Sequence, residues 1–431
     1  MTQFITVRSK RLVKVTSARW RQRAIFWIGG ITVGAAAVVL AVLANEAQLL
    51  FMKLVGRWHY AGFVVTPLGF ALTVFLTNRF FPNSQGSGIP QAIAARQLTD
   101  PKERGKLVSV RIAIGKVLLT LFGLLCGASA GREGPTVQVG ASIMFAIGRM
   151  SPRRQPGLIL AGAAAGVAAA FNTPLAGIVF GIEEMSRSFE ARSSGLVIAT
   201  VIAAGLTSLA ILGNYTYFGT SGAVLRTGLD WFAIPLCGVA GGLLGGLFSR
   251  FVVAVAQGLP GKLNAIKRHR LLFAIVCGLG VAACGHLSGD MIYGTGYVQV
   301  KDAIESGVQL PAGFGLLKLA ATALSTVSGI PGGIFSPSIA VGAGLGATIA
   351  HLFPLSPAPA IILLGMVAYF SGVVQAPITA FVIVTEMTDN HAMVVPVMAA
   401  ALIGYATSRL VAPQGIYHAL STGFLEPAAK R

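Results

Sequence analysis

Four carboxylates, Glu133, Glu183, Glu184 and Glu386, stand inside stretches made otherwise of apolar and small residues, out of fourteen acidic residues in all. An ionisable group at membrane depth is costly and marks function by default, as a proton carrier, an ion ligand or a counter-ion. Around these carboxylates recur three glycine-proline motifs: Gly86-Ser-Gly-Ile-Pro90, Gly131-Arg-Glu-Gly-Pro135 and Gly333-Ile-Phe-Ser-Pro337. Glycine lets backbone approach an ion closely, and proline suits the first turn of a helix. Each motif therefore predicts a helix start whose free N–H groups and positive dipole end face a site. Such partial charges suit an anion that has to leave again, whereas a full Lys or Arg charge would hold it longer. The plainer alternative is that the glycines only let helices pack closely. Three motifs, two of them repeat-related, argue against it.

The repeat is legible directly. Gly131-Arg-Glu-Gly-Pro135-Thr-Val-Gln-Val139-Gly140-Ala141 aligns with Gly333-Ile-Phe-Ser-Pro337-Ser-Ile-Ala-Val341-Gly342-Ala343. Further on, Pro174-Leu-Ala-Gly-Ile-Val-Phe-Gly-Ile-Glu183 aligns with Pro377-Ile-Thr-Ala-Phe-Val-Ile-Val-Thr-Glu386, with proline and glutamate at the same interval. The chain thus divides into a basic N-terminal segment (1–23), two repeats (24–215 and 216–411) and a C-terminal segment (412–431). Duplicated halves are a common transporter architecture, with the substrate site between them near the midplane. The apolar stretches Gly157–Phe171, Leu175–Glu184, Ile339–Phe353 and Ile378–Glu386 are each too short to span alone. They predict broken helices, which hydrocarbon tolerates only where the exposed backbone is buried in protein or lines a cavity.

The elements that must carry these motifs are membrane helices. The chain is 54% hydrophobic and 11% charged, against roughly 25% charged in a soluble domain. Apolar runs recur at Ala24–Leu43, Ala61–Leu76, Ile112–Ala128, Leu196–Leu212, Phe232–Ala256, Leu271–His286 and Ala392–Leu410. The fold class expected is an all-α polytopic membrane protein. Net charge is +19, but the basic residues flank apolar runs, as topology signals and lipid contacts do, and do not form a nucleic-acid surface. Arg8, Lys10, Arg11, Lys14, Arg19, Arg21 and Arg23 predict a cytoplasmic N-terminus. The first apolar run leads into further spans and does not read as a cleaved signal peptide. Only a short tail is expected after Gln414. Cys126, Cys237, Cys277 and Cys284 lie singly in apolar segments and suggest packing, not metal or redox chemistry.

On its GSGIP, GREGP and GIFSP motifs, in that order, the chain resembles the CLC chloride channels and chloride/proton antiporters, in the prokaryotic form without cytoplasmic regulatory domains. The resemblance extends from the first span to Tyr417. It implies an inverted repeat, a homodimer with one anion pathway per subunit, and a multi-pass protein of the bacterial inner membrane. It also implies a transporter and not an enzyme, with chloride and protons as its partners and no cofactor or metal. Carried over residue by residue, it makes Ser87, Tyr417 and the amides of Ile334 and Phe335 the central chloride site. The amides of Arg132, Glu133 and Gly134 would form an outer one. Glu133 would be the gate, whose carboxylate competes with chloride until protonation releases it. Glu184 would be the internal proton-transfer group and Glu183 its acidic partner. Retention of Glu184 favours exchange over the alternative, a passive chloride channel. Gln91 and Ile93 depart from relatives that carry carboxylates there, and Lys116 would add positive potential near the pathway.

Three rivals are weighed beside it. A fluoride exporter of the same broad family has motifs divergent from GSGIP and GREGP. An intramembrane serine hydrolase would use Gly127-Ala-Ser-Ala-Gly131, which satisfies G-x-S-x-G, with His286 or His351 as base. That signature needs a strand-turn-helix setting and a histidine packed on Ser129. A scaffold protein would need no ionisable residues at membrane depth.

Overall fold

The apolar runs fold as helices because a helix is the only open-ended way to satisfy backbone groups away from water. The structure, a computed structural model, describes residues 2–150, 154–186, 191–226, 228–258, 267 and 269–425; for residues 2–23, 150 and 191–194 it describes backbone alone. The basic N-terminal side chains and the chain after residue 425 lie outside the described residues. The first half comprises α1 (Thr2–Arg57), α2 (Gly62–Phe80), α3 (Ile89–Gln97), α4 (Pro101–Leu107), α5 (Val110–Leu125), α6 (Glu133–Ile147), α7 (Gln155–Phe171), α8 (Pro174–Phe180), a π-helical turn (Gly181–Ser186) and α9 (Ala191–Leu212). The second half comprises α10 (Ala233–Gln257), α11 (Arg270–Leu287), α12 (Tyr297–Glu305), α13 (Phe314–Val327), α14 (Phe335–Ala350), α15 (Ala358–Val374), α16 (Pro377–Thr388), α17 (Val394–Val411) and α18 (Ile416–Leu425).

Among the described residues, seven helices are long and apolar enough to cross a membrane, and each overlaps one of the apolar runs read from the sequence. Their outer faces carry exposed large side chains such as Leu68, Leu206, Leu247, Leu279 and Leu402, which suits lipid and not water. Shorter apolar helices, α7 and α13 to α16, fill the interior. α7 and α15 are its centre, buried along nearly their whole length. Each ends the same way. Asn172 and Gln375 take left-handed conformations at φ 58° and 57°, and a proline then starts the next short helix, α8 or α16. These are the broken helices expected from the Pro-Glu repeat.

Small residues set how closely the long helices cross. Gly30 and Gly34 of α1 press on the backbone of α9, and Gly242 and Gly246 of α10 do the same on α17. A Cβ at any of these four positions would crowd the partner helix, so the close crossing depends on their absence of side chain. The two helix pairs are repeat equivalents. The two halves are inverted relative to each other, and the antiparallel pairing of Gly131 with Gly333 sits where they meet.

Candidate functional site

The three glycine-proline motifs converge. Gly131 and Gly333 exchange backbone hydrogen bonds, each N–H reaching the other's carbonyl at 2.7 Å. Gly86 donates to the Ile330 carbonyl at 3.1 Å, and Gly332 donates back to Gly86 at 3.0 Å. Gly88, in a left-handed conformation at φ 97°, turns the chain into α3. The approach is too close for side chains: a Cβ on Gly134 would strike Ser87 Oγ and the Ser87 carbonyl, and would press on the Gly333 Cα. Thus α6 and α14 point their N-termini at one centre, and Ser87 lies against it.

Each helix start leaves amides without intrahelical acceptors. Arg132, Glu133 and Gly134 supply them at α6; Ile334 and Phe335 supply them at α14. Tyr417 enters from α18, fully buried, with its ring stacked on Phe335 at 5.8 Å. Gly415 seats the start of α18 against the Val374 carbonyl at the end of α15. The Ser87 and Tyr417 hydroxyls adjoin, yet neither makes a hydrogen bond of good geometry. Buried hydroxyls beside unspent amides form a donor-rich centre suited to a small anion.

Glu133 is wholly buried. Its Oε1 accepts from Ser336 Oγ at 2.7 Å and from Tyr217 Oη at 3.1 Å, while Oε2 folds back over Gly131 without a partner. Because Ser336 lies in the first turn of α14, the carboxylate sits at the end of the helix that favours negative charge. Arg132 does not pair with it. The guanidinium donates instead to Ala41 O at 2.6 Å and Asn45 Oδ1 at 2.7 Å, and lies over the Tyr217 ring.

The two adjacent glutamates of the π turn face different ways. Glu183 accepts from Ile378 N at 3.1 Å and Thr379 N at 2.6 Å, closing the N-terminus of α16. Its repeat partner Glu386 reciprocates, accepting from Leu175 N at 3.1 Å and Ala176 N at 2.7 Å at the start of α8. Glu184 turns inward, 3% exposed, toward Tyr417 and His418. Glu386→Ala strands two amides that lack another acceptor. It is expected to cost about 2–4 kcal/mol, read as a lowered midpoint of unfolding in an SDS titration, with Glu183→Ala showing a similar loss.

Two lysines buried in the same interior are also repeat equivalents. Lys116 on α5 donates to Gly86 O at 2.7 Å and Gln85 O at 3.4 Å. Lys318 on α13 donates to Ile292 O and Gly294 O, both at 2.7 Å. Neither has a carboxylate partner among the described residues. Gln91 donates to Asn83 O and Gln85 O at 3.3 and 2.7 Å, a role for which a carboxylate has no proton. Ile93 packs in the apolar core.

Tyr217, Ser336, Lys318 and His418 received no role in the sequence reading. Lys318 was accessible through repeat alignment with Lys116, and Ser336 through its place in GIFSP. Tyr217 stands in an aperiodic connection and gave no signal. Ser129, the rival nucleophile, shares a hydrogen bond with Thr322 at 3.0 Å. His286 lies among His59, Tyr60 and Phe63, and His351 lines a separate cavity of about 290 Å³ beside Ser356 and Gln309.

Fold and site together define a polytopic membrane protein of two inverted repeats whose interrupted helices meet at a shared, carboxylate-lined centre. The chain belongs to the voltage gated chloride channel family, whose pattern matches residues 69–409. It is 31% identical over 406 residues to the H(+)/Cl(-) exchange transporter ClcA of Yersinia pestis bv. Antiqua (strain Angola), covering 88% of this chain and 80% of that one. The ClcA of Vibrio vulnificus (strain YJ016) is 31% identical over 388 residues, covering 84% and 79%. The crystal structure of a slow cyanobacterial Cl-/H+ antiporter shares the fold at TM-score 0.80 and 23% identity, covering 95% of this chain and 99% of that one. A CLC-type fluoride/proton antiporter shares it at TM-score 0.78 and 21% identity, covering 92% and 96%.

Proposed function

We propose that this chain exchanges chloride for protons across a bacterial inner membrane, with its N-terminus cytoplasmic. One observation carries the proposal: the N-termini of α6 and α14 meet at a centre where Glu133 already places a carboxylate. A negative carboxylate and a chloride ion compete for the same amides and hydroxyls. Protonation neutralises the carboxylate and lets the anion in, so movement of one ion licenses movement of the other. Ser87, Tyr417 and the amides of Ile334 and Phe335 hold the central chloride, and the amides of Arg132, Glu133 and Gly134 hold an outer one. Glu184 passes protons on the Tyr417 side, while Glu183 serves as a clasp on α16. The relatives named as H(+)/Cl(-) exchange transporters support chloride and protons as the ions.

The repeats are assigned to residues 24–215 and 216–411, with the segment 412–431 completing the centre through Tyr417. Two copies are proposed to pair, each with its own pathway. The test is the purified protein in liposomes under an outward chloride gradient, with internal pH recorded. Chloride efflux is expected to drive protons into the vesicle against their own gradient. Chloride efflux with no pH response makes the protein a passive channel and overturns the exchange reading.

A further inference from the structure

The proposed proton route reaches Glu184 but leaves open how a residue 3% exposed takes protons from water. His418 stands beside it. Its Nε2 lies 2.9 Å from the Glu184 backbone oxygen and 3.6 Å from Glu184 Oε1, with side-chain exposures of 13% for the histidine and 4% for the glutamate. We propose that His418 is the proton relay between the solution on the Tyr417 side and the Glu184 carboxyl. This inference rests on the reading of Glu184 as a proton carrier.

The chemistry follows from the acceptor. A carbonyl oxygen only accepts, so Nε2 carries the proton in the bond to the Glu184 backbone and Nδ1 carries the lone pair of the ring. Transfer requires the imidazole to turn by a fraction of an ångström, bringing Nε2–H from the carbonyl onto Oε1. Nδ1 then takes a proton from water as the Nε2–H bond breaks and an O–H bond forms on Glu184. One proton enters the solution side of the ring and one leaves its far side; the ring resets by turning to solvent, where Nδ1–H is released to water and Nε2 takes up a proton from it. An imidazole suits the task because it both binds and releases protons between about pH 5 and 8.

Among the described residues, the helices packed most closely on α18 are α3, α10 and α15, and the π turn meets it at Glu184. The three helices bring Arg96, Arg250 and Tyr369 respectively, while α18 itself adds Tyr417. Arg96 is turned to the end of the π turn, donating to Met185 O and Ser186 Oγ, each at 3.0 Å. Glu183 is spent on α16. Among the described residues, Glu184 is the carboxylate within 4 Å of the His418 ring.

The experiment records chloride and proton fluxes together in liposomes. His418→Gln keeps a hydrogen-bond donor but cannot relay a proton. The chloride-to-proton ratio is expected to rise about tenfold, and the proton flux to lose its dependence on pH at the Tyr417 side. In His418→Ala, imidazole added to that side is expected to restore proton flux. A structural role would lower both fluxes in parallel and give no rescue; that result, or a ratio equal to that of the unmodified protein, overturns the relay. If neither variant folds, the unmodified protein decides alone. Proton flux titrating in the imidazole range on that side supports the relay, and a flat profile overturns it. Glu184→Gln is run in parallel. Proton flux that survives this change sinks the reading of Glu184 itself, whereas its loss beside an unaffected His418→Gln removes only the relay.

Discussion

Glu133→Gln is expected to stop proton transport almost completely, by about a hundredfold or more, while chloride continues to cross. Glutamine keeps the size of the side chain and its oxygen, so Ser336 and Tyr217 still have an acceptor at the position of Oε1. What it loses is the ability to bind and release a proton, together with the charge that competes for the amides of α6 and α14. The variant therefore resembles a gate held permanently in its protonated form. The contrast between the two ions is the informative part, because a folding defect removes both fluxes. Paired chloride and pH recordings on the same vesicles provide the check. Proton transport that persists in Glu133→Gln would remove Glu133 from the coupling mechanism.

Gly134→Ala should weaken chloride binding by roughly ten- to a hundredfold. The added carbon lands on Ser87 Oγ and on the Ser87 carbonyl, and it presses on Gly333. All three belong to backbone segments tied together by hydrogen bonds, so none can withdraw without loosening another. Overpacking of that kind costs about 1–3 kcal/mol. A second substitution controls for general damage. Gly105 in α4 meets only the Phe145 ring, at 3.7 Å, an ordinary contact, and Gly105→Ala is expected to leave affinity unchanged. Titration calorimetry with chloride in detergent measures both. Equal affinities for the two variants would show that the convergence of the loops does not shape the anion site.

Much of this architecture was readable beforehand for a physical reason. Spans, breaks and repeats are local patterns: apolar length, a proline after a left-handed residue, and a glutamate at fixed distance from that proline. Convergence of the loops was inferred because interrupted helices are tolerated only around a shared interior. The readings that fell short concern pairs far apart in the chain. Tyr217 reaches Glu133 from the connection between the halves, where no periodicity constrains the fold. Glu183 and Glu184, which the resemblance makes an acidic partner and a proton-transfer group, turn to different sides. Consecutive residues of a helix point about 100° apart, and one of the two carboxylates is committed to a helix of the opposite repeat.

That reciprocal use of Glu183 and Glu386 bears on how the chain can be made. Each half lends the other an acceptor that it cannot supply to itself, so an isolated N-terminal or C-terminal fragment would expose the raw beginning of a short helix to hydrocarbon. Synthesis can insert the long outer segments one after another, but α8 and α16 can settle only once both glutamates have left the ribosome. Final consolidation is then a single late event. Two separately expressed fragments would have to meet in the same bilayer before either became protease-resistant.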